Sequence, residues 1–285
     1  MHSLLFVPGN VQRMLDKALT CSPDAYVPDL EDSVPEGEKV NARRMVAAHL
    51  ARLSARDIPV IPRINAYRTP WCEGDLAALV GPNVHGVSIG KIESAEDIAA
   101  ISDAIAEQER RAGVEVGTIR LLPWIETALA VVNCYQICRA SSRITAVAFG
   151  AEDLTDDLGI ERTEGESETA YARSAVCIAA RAAGLDALDT PYFHFRDNEG
   201  LKASVVAAKQ LGFKGKFAIH PAQLELLKEM FSPSEEELAY ARRVVEVFEE
   251  AEREGRGSTS LQGKVIDVPV VKRARSLLRS AKHTA

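Results

Sequence analysis

IRLLPWI (119–125) and TAVAFG (145–150) decide the fold: two short apolar runs with room for one helix between them. Runs of the same kind recur at SLLFV (3–7), AYVPDL (25–30), PVIPRI (59–64), HGVSIG (85–90), LDALDT (185–190) and KFAIH (216–220). Their mostly apolar, β-branched character suits strands buried on both faces, as in a parallel sheet. Between them lie helical patterns: VQRMLDKALT (11–20), EKVNARRMVAAHLARLS (38–54), SAEDIAAISDAIAEQERR (94–111) and ETAYARSAVCIAARAAG (168–184). The last two end near Gly113 and Gly184, where helix C-caps belong. Eight such strands, each followed by a helix or room for one, predict an α/β fold of the (β/α)8 barrel type. A doubly wound open sheet competes, but no Gly-rich dinucleotide fingerprint follows the first strand.

Downstream, PSEEELAYARRVVEVFEEAEREG (233–255) reads as one long charged helix opened by a Ser/Pro start signal. GRGSTSLQGK (255–264) reads as a flexible linker, and VIDVPVVKRARSLLRSAK (265–282) as a short extended piece and a basic helix. The expected organisation is a barrel with its long final helix over 1–256 and a C-terminal extension over 257–285. Closure of the barrel does not need that tail, which suits packing on a neighbouring subunit.

The 285 residues are 46% hydrophobic and 26% charged, ordinary globular usage that argues against a disordered or fibrous chain. No stretch approaches about 18 uninterrupted apolar residues, and the N-terminus lacks a signal-type apolar region. Cys21, Cys72, Cys134, Cys138 and Cys177 are scattered and show no CxxC pair. The pattern fits reduced thiols of a cytoplasmic protein with no membrane partner, and it offers no zinc site. A net charge of −7 disfavours nucleic acid but leaves room for a local basic pocket taking an anionic small molecule.

Barrel enzymes carry their chemistry at the carboxyl ends of the strands. Glu126 follows PWI there, Asp153 follows the sixth strand, and Glu31 and Asp32 follow the second. Carboxylates on adjacent strands suit a hard cation such as Mg²⁺, which takes one or two of them. They equally suit capping of the helices that follow. Glu31 and Asp32 are the weaker metal candidates, because neighbours in a strand or tight turn point in different directions. Arg63 ends the third strand, placed either to hold a carboxylate or oxyanion or to form a buried ion pair with a barrel-top acid. Arg13 and Lys17, one turn apart, could meet phosphates or simply line a solvated helix face. Lys91 could meet a substrate, a phosphate or a barrel-top acid, whereas His220 reads as structural. Cys134 and Cys138 share a helix face without further ligands, and no serine sits in a nucleophile elbow.

Together, SLLFVPGN (3–10), DLEDSV (29–34), RIN (63–65), KIESAED (91–97), LLPWIET (121–127), AFGAEDL (148–154), AIHPAQ (218–223), FSPSEEE (231–237) and GKVIDVPVV (263–271) resemble the citrate lyase β-subunit-like branch of the HpcH/HpaI aldolase family. The resemblance implies a Mg²⁺-dependent barrel acting on CoA thioesters, usually as a homotrimer or hexamer. Glu126 and Asp153 match the metal ligands, and Arg63 matches an arginine contacting thioester and acid. Arg13 falls on the CoA side with Phe6 beside it, and Lys17 is a second phosphate candidate there. Asp267 matches an aspartate that enters a neighbouring subunit's site. The implied reaction splits a 3-hydroxy-carboxyacyl-CoA, such as citryl-, citramalyl- or malyl-CoA, into acetyl-CoA and a 2-oxo acid. Hydrolysis of malyl-CoA, or service as the β subunit of a complex using a carrier-bound thioester, are the alternatives. Three positions depart from the pattern. Val11-Gln12 follows Asn10, Pro28 is expected to distort the second strand's end, and Gly90 replaces a common proline before Lys91.

Overall fold

The computed structural model describes residues 1–282. Eight parallel strands close into a barrel in sequence order. They are β1 (Ser3–Pro8), β2 (Ala25–Asp29), β3 (Arg63–Ile64), β4 (Gly86–Ile89), β5 (Arg120–Ile125), β6 (Ala146–Phe149), β7 (Asp186–Asp189) and β8 (Gly215–Ala218). The helices running with them are α1 (Gln12–Ala18), α2 (Lys39–Ser54), α3 (Cys72–Leu79), α4 (Ala95–Ala112), α5 (Ala128–Arg139), α6 (Ala151–Asp157), α7 (Ala170–Ala183), α8 (Asn198–Leu211) and α9 (Leu224–Phe231). Gly113 and Gly184 do terminate α4 and α7 in the left-handed conformation.

Alternation along the strands sends one set of side chains inward. Leu4, Val27, Ile61, Leu122, Trp124 and Phe217 fill the interior. Small residues, Ala25, Ala146 and Ala148, make room for the two large rings. Trp124 and Phe217 lie 4.5 Å apart between ring centres, and Trp124 donates its indole N–H to Ser88 at 2.7 Å. Below the strands, Glu109 at the end of α4 is fully buried. It accepts two bonds from Arg143 (2.9 and 2.7 Å) and two from the N–H groups of Gly117 and Ile119 (2.9 and 2.7 Å).

Two strand expectations change. β2 survives Pro28: Val7 pairs with Pro28 and Pro8 with Asp29, so the missing N–H does not end the strand. The third strand is shorter than 59–64, because Pro59 and Pro62 donate nothing to a ladder. Only Arg63 and Ile64 pair regularly, with an isolated bridge from Val60 to Tyr26.

The compact units are Met1–Lys228 and the chain from Glu229 onward, so the boundary falls before the long helix rather than after it. In the second unit α10 (Glu235–Arg253) opens on a capping box between Ser234 and Glu237. Its apolar face, Ala241, Val244 and Phe248, packs with Ile266, Val271 and Ala274. The expected flexible linker is instead a hairpin of β9 (Thr259–Leu261) and β10 (Lys264–Ile266). Gln262 and Gly263, both at positive φ, form its two-residue turn. α11 (Val268–Lys282) follows. Among the described residues no helix is long and apolar enough to cross a membrane, and all five cysteines are free and buried.

Candidate active site

The mouth of the barrel continues the same alternation. Two residues beyond Val27 stands Asp29, beyond Ile61 stands Arg63, and beyond Trp124 stands Glu126. The period of two therefore delivers charged groups to the inward face at the carboxyl ends of β2, β3 and β5. They wall a cavity of about 640 Å³, with Asp153, Thr190 and Phe193 completing its rim.

Arg63 organises one side. Its Nε and one terminal nitrogen donate to the two oxygens of Asp29, both at 2.7 Å, and the other reaches Asp32 at 2.8 Å and Glu31 at 3.2 Å. Its guanidinium carbon lies 4.7 Å from the ring centre of Phe6, which stacks on Phe217 at 5.1 Å and Trp124 at 5.7 Å. Lys39 of α2 donates to the carbonyls of Leu30 and Glu31 at 2.9 and 2.7 Å, fixing the loop that brings the acids in. Burial alone would raise Asp29, but the facing guanidinium outweighs it and holds the carboxyl below its ordinary value. Glu31 goes the other way. Burial first, then the neighbouring charges of Asp32 and Glu126, push it up to about 8 against the pull of Arg63. Arg63 itself is favoured in its charged form, since Asp29, Glu31 and Asp32 overcome the cost of its burial.

The other side is a carboxylate pair. Glu126 lies just past β5 and is 2% exposed; Asp153 stands in the first turn of α6. Glu126 is not the cap of the following helix, because Thr127 takes that role by accepting from Ala130 N–H at 3.1 Å. Burial raises the Glu126 pKa, only partly countered by Lys91. Lys91 donates its backbone N–H to Glu126 Oε1 at 2.7 Å, and its ammonium pairs with Asp153 while lying 3.6 Å from the same Glu126 oxygen. The pair thus already shares one positive charge, which is the donor set a hard divalent cation needs. Among the described residues no three His, Cys, Asp or Glu side chains surround one metal position. Two carboxylates with water and substrate filling the remaining positions is how Mg²⁺ is ordinarily held.

The expected residues therefore divide. Glu126, Asp153, Arg63 and Phe6 meet at the cavity. Arg13 and Lys17 lie exposed on α1 and outside the cavity wall. Asp267 belongs to the second unit, where its carboxylate accepts from Val270 N–H at 3.2 Å at the start of α11. His220 caps the short turn after β8, its Nδ1 accepting from Ala222 N–H at 3.1 Å. Asp29 and Trp124 were missed, although reading the inward alternation two residues past Val27 and Leu122 reaches both. Glu31 and Asp32 converge on one guanidinium nitrogen, whereas adjacent positions were expected to diverge; the chain turns directly after β2.

The fold is a (β/α)8 barrel that carries a carboxylate pair and a buried arginine at the carboxyl ends of its strands. The sequence model of the HpcH/HpaI aldolase/citrate lyase family matches residues 2–221, and the chain belongs to that family of lyases. Citrate lyase subunit beta of Haemophilus influenzae is 39% identical over 281 residues, covering 99% of this chain and 97% of that protein. A (3S)-malyl-CoA thioesterase of Cereibacter sphaeroides is 35% identical, covering 100% of this chain and 95% of that one. The crystal structure of CitE from Mycobacterium tuberculosis, in complex with magnesium, acetoacetate and coenzyme A, superposes with a TM-score of 0.80 at 30% identity. It covers 99% of this chain and 98% of its own.

Proposed function

We propose that the protein is a magnesium-dependent carbon–carbon lyase that splits a 3-hydroxy-carboxyacyl-CoA into acetyl-CoA and a 2-oxo acid, or condenses them. The observation that carries this reading is the Glu126–Asp153 pair sharing one cation on the wall of a cavity that also holds Arg63. The magnesium-, acetoacetate- and CoA-bound relative supports it. Magnesium bound by Glu126 and Asp153 would supply Lewis acidity at the hydroxyl and carboxylate oxygens of the acid. Arg63 is positioned and kept charged by Asp29, so its guanidinium offers donors to the enolate oxygen of the leaving acetyl-CoA. Asp32, more than half exposed, can release its share of that guanidinium to a substrate. Glu31, pushed up to about 8 chiefly by its burial, sets less negative charge against an anionic substrate than an ordinary glutamate would. Asp267 of a neighbouring copy in a homo-oligomer would deliver a proton to the acetyl methyl carbon, or remove it during condensation. Arg13, Lys17 and Phe6 are proposed to serve the CoA moiety.

The test is incubation of the purified chain with Mg²⁺, acetyl-CoA or propionyl-CoA and glyoxylate, pyruvate or oxaloacetate in turn, read by mass spectrometry. One new 3-hydroxyacyl-CoA product supports the lyase and names its acid; no product with any pair refutes it. The thioesterase relative favours a second reading, hydrolysis of malyl-CoA, which yields malate and free CoA instead. The relatives named as subunits favour dependence on a carrier-bound thioester, which turnover of free CoA esters excludes.

A further inference from the structure

Lys91 does something that the reaction above does not use. Its backbone sits at φ +55°, in the left-handed region that side chains other than glycine rarely adopt. Such outliers persist only where the surroundings hold them, and they gather at functional sites. Here the Lys91 N–H is bound to Glu126 Oε1 at 2.7 Å. The preceding Gly90 passes so close that a Cβ there would lie 2.5 Å from that oxygen. The turn brings the Lys91 ammonium back between Glu126 and Asp153, so one residue grips the pair through both backbone and side chain. Arg63 is engaged by Asp29, Asp32 and Glu31, so of the two cations acting on Glu126 it is Lys91 that also reaches Asp153. Its side chain is 40% exposed against 2% for Glu126, so the ammonium stands on the solvent side of the pair and can withdraw without opening the core.

We infer that Lys91 is a displaceable stand-in cation. It keeps Glu126 and Asp153 together when no divalent ion is present and yields the position when one enters. Two carboxylates this close repel one another when nothing lies between them. The tethered ammonium keeps the site assembled, and the entering ion must compete with it. Lys91 is thus a positioning residue that sets the metal affinity of the free enzyme. This inference rests on the reading of Glu126 and Asp153 as metal ligands.

The experiment is isothermal titration of MgCl₂ into the full chain with no CoA ester or oxo acid present. Wild type, Lys91→Met, Lys91→Arg and Glu126→Gln are compared, alongside melting temperatures in EDTA and in excess Mg²⁺. Removing the competing charge is expected to tighten Mg²⁺ binding about five- to tenfold in Lys91→Met, the scale of one partly buried ion pair. The same variant should melt below wild type in EDTA and gain more from Mg²⁺. Lys91→Arg, which keeps the charge, should bind near wild type. A merely structural lysine would give weaker binding when removed, so the direction of the change decides. Unchanged or weaker binding in Lys91→Met, with binding lost in Glu126→Gln, overturns the inference about Lys91 alone. Wild-type binding in Glu126→Gln overturns the metal site itself, and the inference with it. Lys91→Gly, at ease at positive φ, gives the same readout should the methionine variant fold poorly.

Discussion

Gly90→Ala tests whether the Glu126 carboxylate must sit where it does. Gly90 is not at positive φ, so alanine meets no backbone penalty and the effect is steric. The new Cβ would lie 2.5 Å from Glu126 Oε1 and 3.1 and 3.2 Å from the Glu31 oxygens, where ordinary contact begins at 3.4 Å. The Glu126 oxygen must therefore withdraw by about 0.9 Å (3.4 − 2.5). There is little room behind it, since Gly150 crowds Glu126 from the other side, where a Cβ would stand 2.6 Å from Oε2 and 2.7 Å from the Glu126 Cβ. The carboxylate is sandwiched between two glycines, and it must rotate away from the Lys91 N–H. A misplacement of about 1 Å in a catalytic group costs roughly 10²-fold in rate. Overpacking of this size costs about 1–3 kcal/mol, a melting shift of roughly 2–4 °C per kcal/mol. Steady-state turnover, Mg²⁺ titration and circular dichroism on one preparation separate the two effects. A folded Gly90→Ala enzyme with wild-type turnover and Mg²⁺ affinity would refute the reasoning.

Glu126→Gln is expected to abolish Mg²⁺ binding and turnover. It should also raise the melting temperature of the metal-free protein at neutral pH, because a buried carboxyl with a raised pKa is destabilising while ionised. Calorimetry in EDTA checks this, and a lower melting temperature contradicts it. Glu109 is held below its ordinary value, since Arg143 and two N–H groups outweigh its burial. Its stabilisation is therefore present above about pH 4.3 and fades as pH falls through the native value. Glu109→Gln should cost about 3–5 kcal/mol at pH 7 and flatten the acid limb of a urea-unfolding series from pH 3 to 7. Asp267→Asn should leave stability and Mg²⁺ binding intact, because Asn caps a helix as well as Asp. It should nevertheless reduce lyase turnover by roughly 10²–10⁴. Unchanged turnover removes Asp267 from the mechanism.

Much of this was legible in the residues, because the barrel is specified by repetition. Each apolar run with its following helix needs only local patterning, and eight of them in order leave the closed parallel sheet as the natural arrangement. Glu126 and Arg63 were legible for the same reason, since their charge interrupts apolar runs at strand ends. The misses share a cause, in that each depends on what a neighbour supplies. PVIPRI has the composition of a full strand, yet ladder pairing needs N–H groups that its prolines lack. GRGSTSLQGK has linker composition, yet Gln262-Gly263 accept positive φ and let the flanks pair. The long helix was assigned to the barrel by sequence proximity, whereas its apolar face is filled by residues of β10 and α11. Lys91 remained ambiguous because a left-handed backbone decides where its ammonium goes. That conformation is held where Gly90 and the Lys91 N–H meet Glu126, a contact between segments about 36 residues apart.

The most direct measurement is an anomalous-scattering map from a crystal soaked in Mn²⁺. One peak is expected, bonded to both Glu126 and Asp153 at oxygen distances of about 2.1 Å, with the Lys91 ammonium moved out of that position. A map with no peak there, and the lysine still bridging the two acids at saturating Mn²⁺, would contradict it.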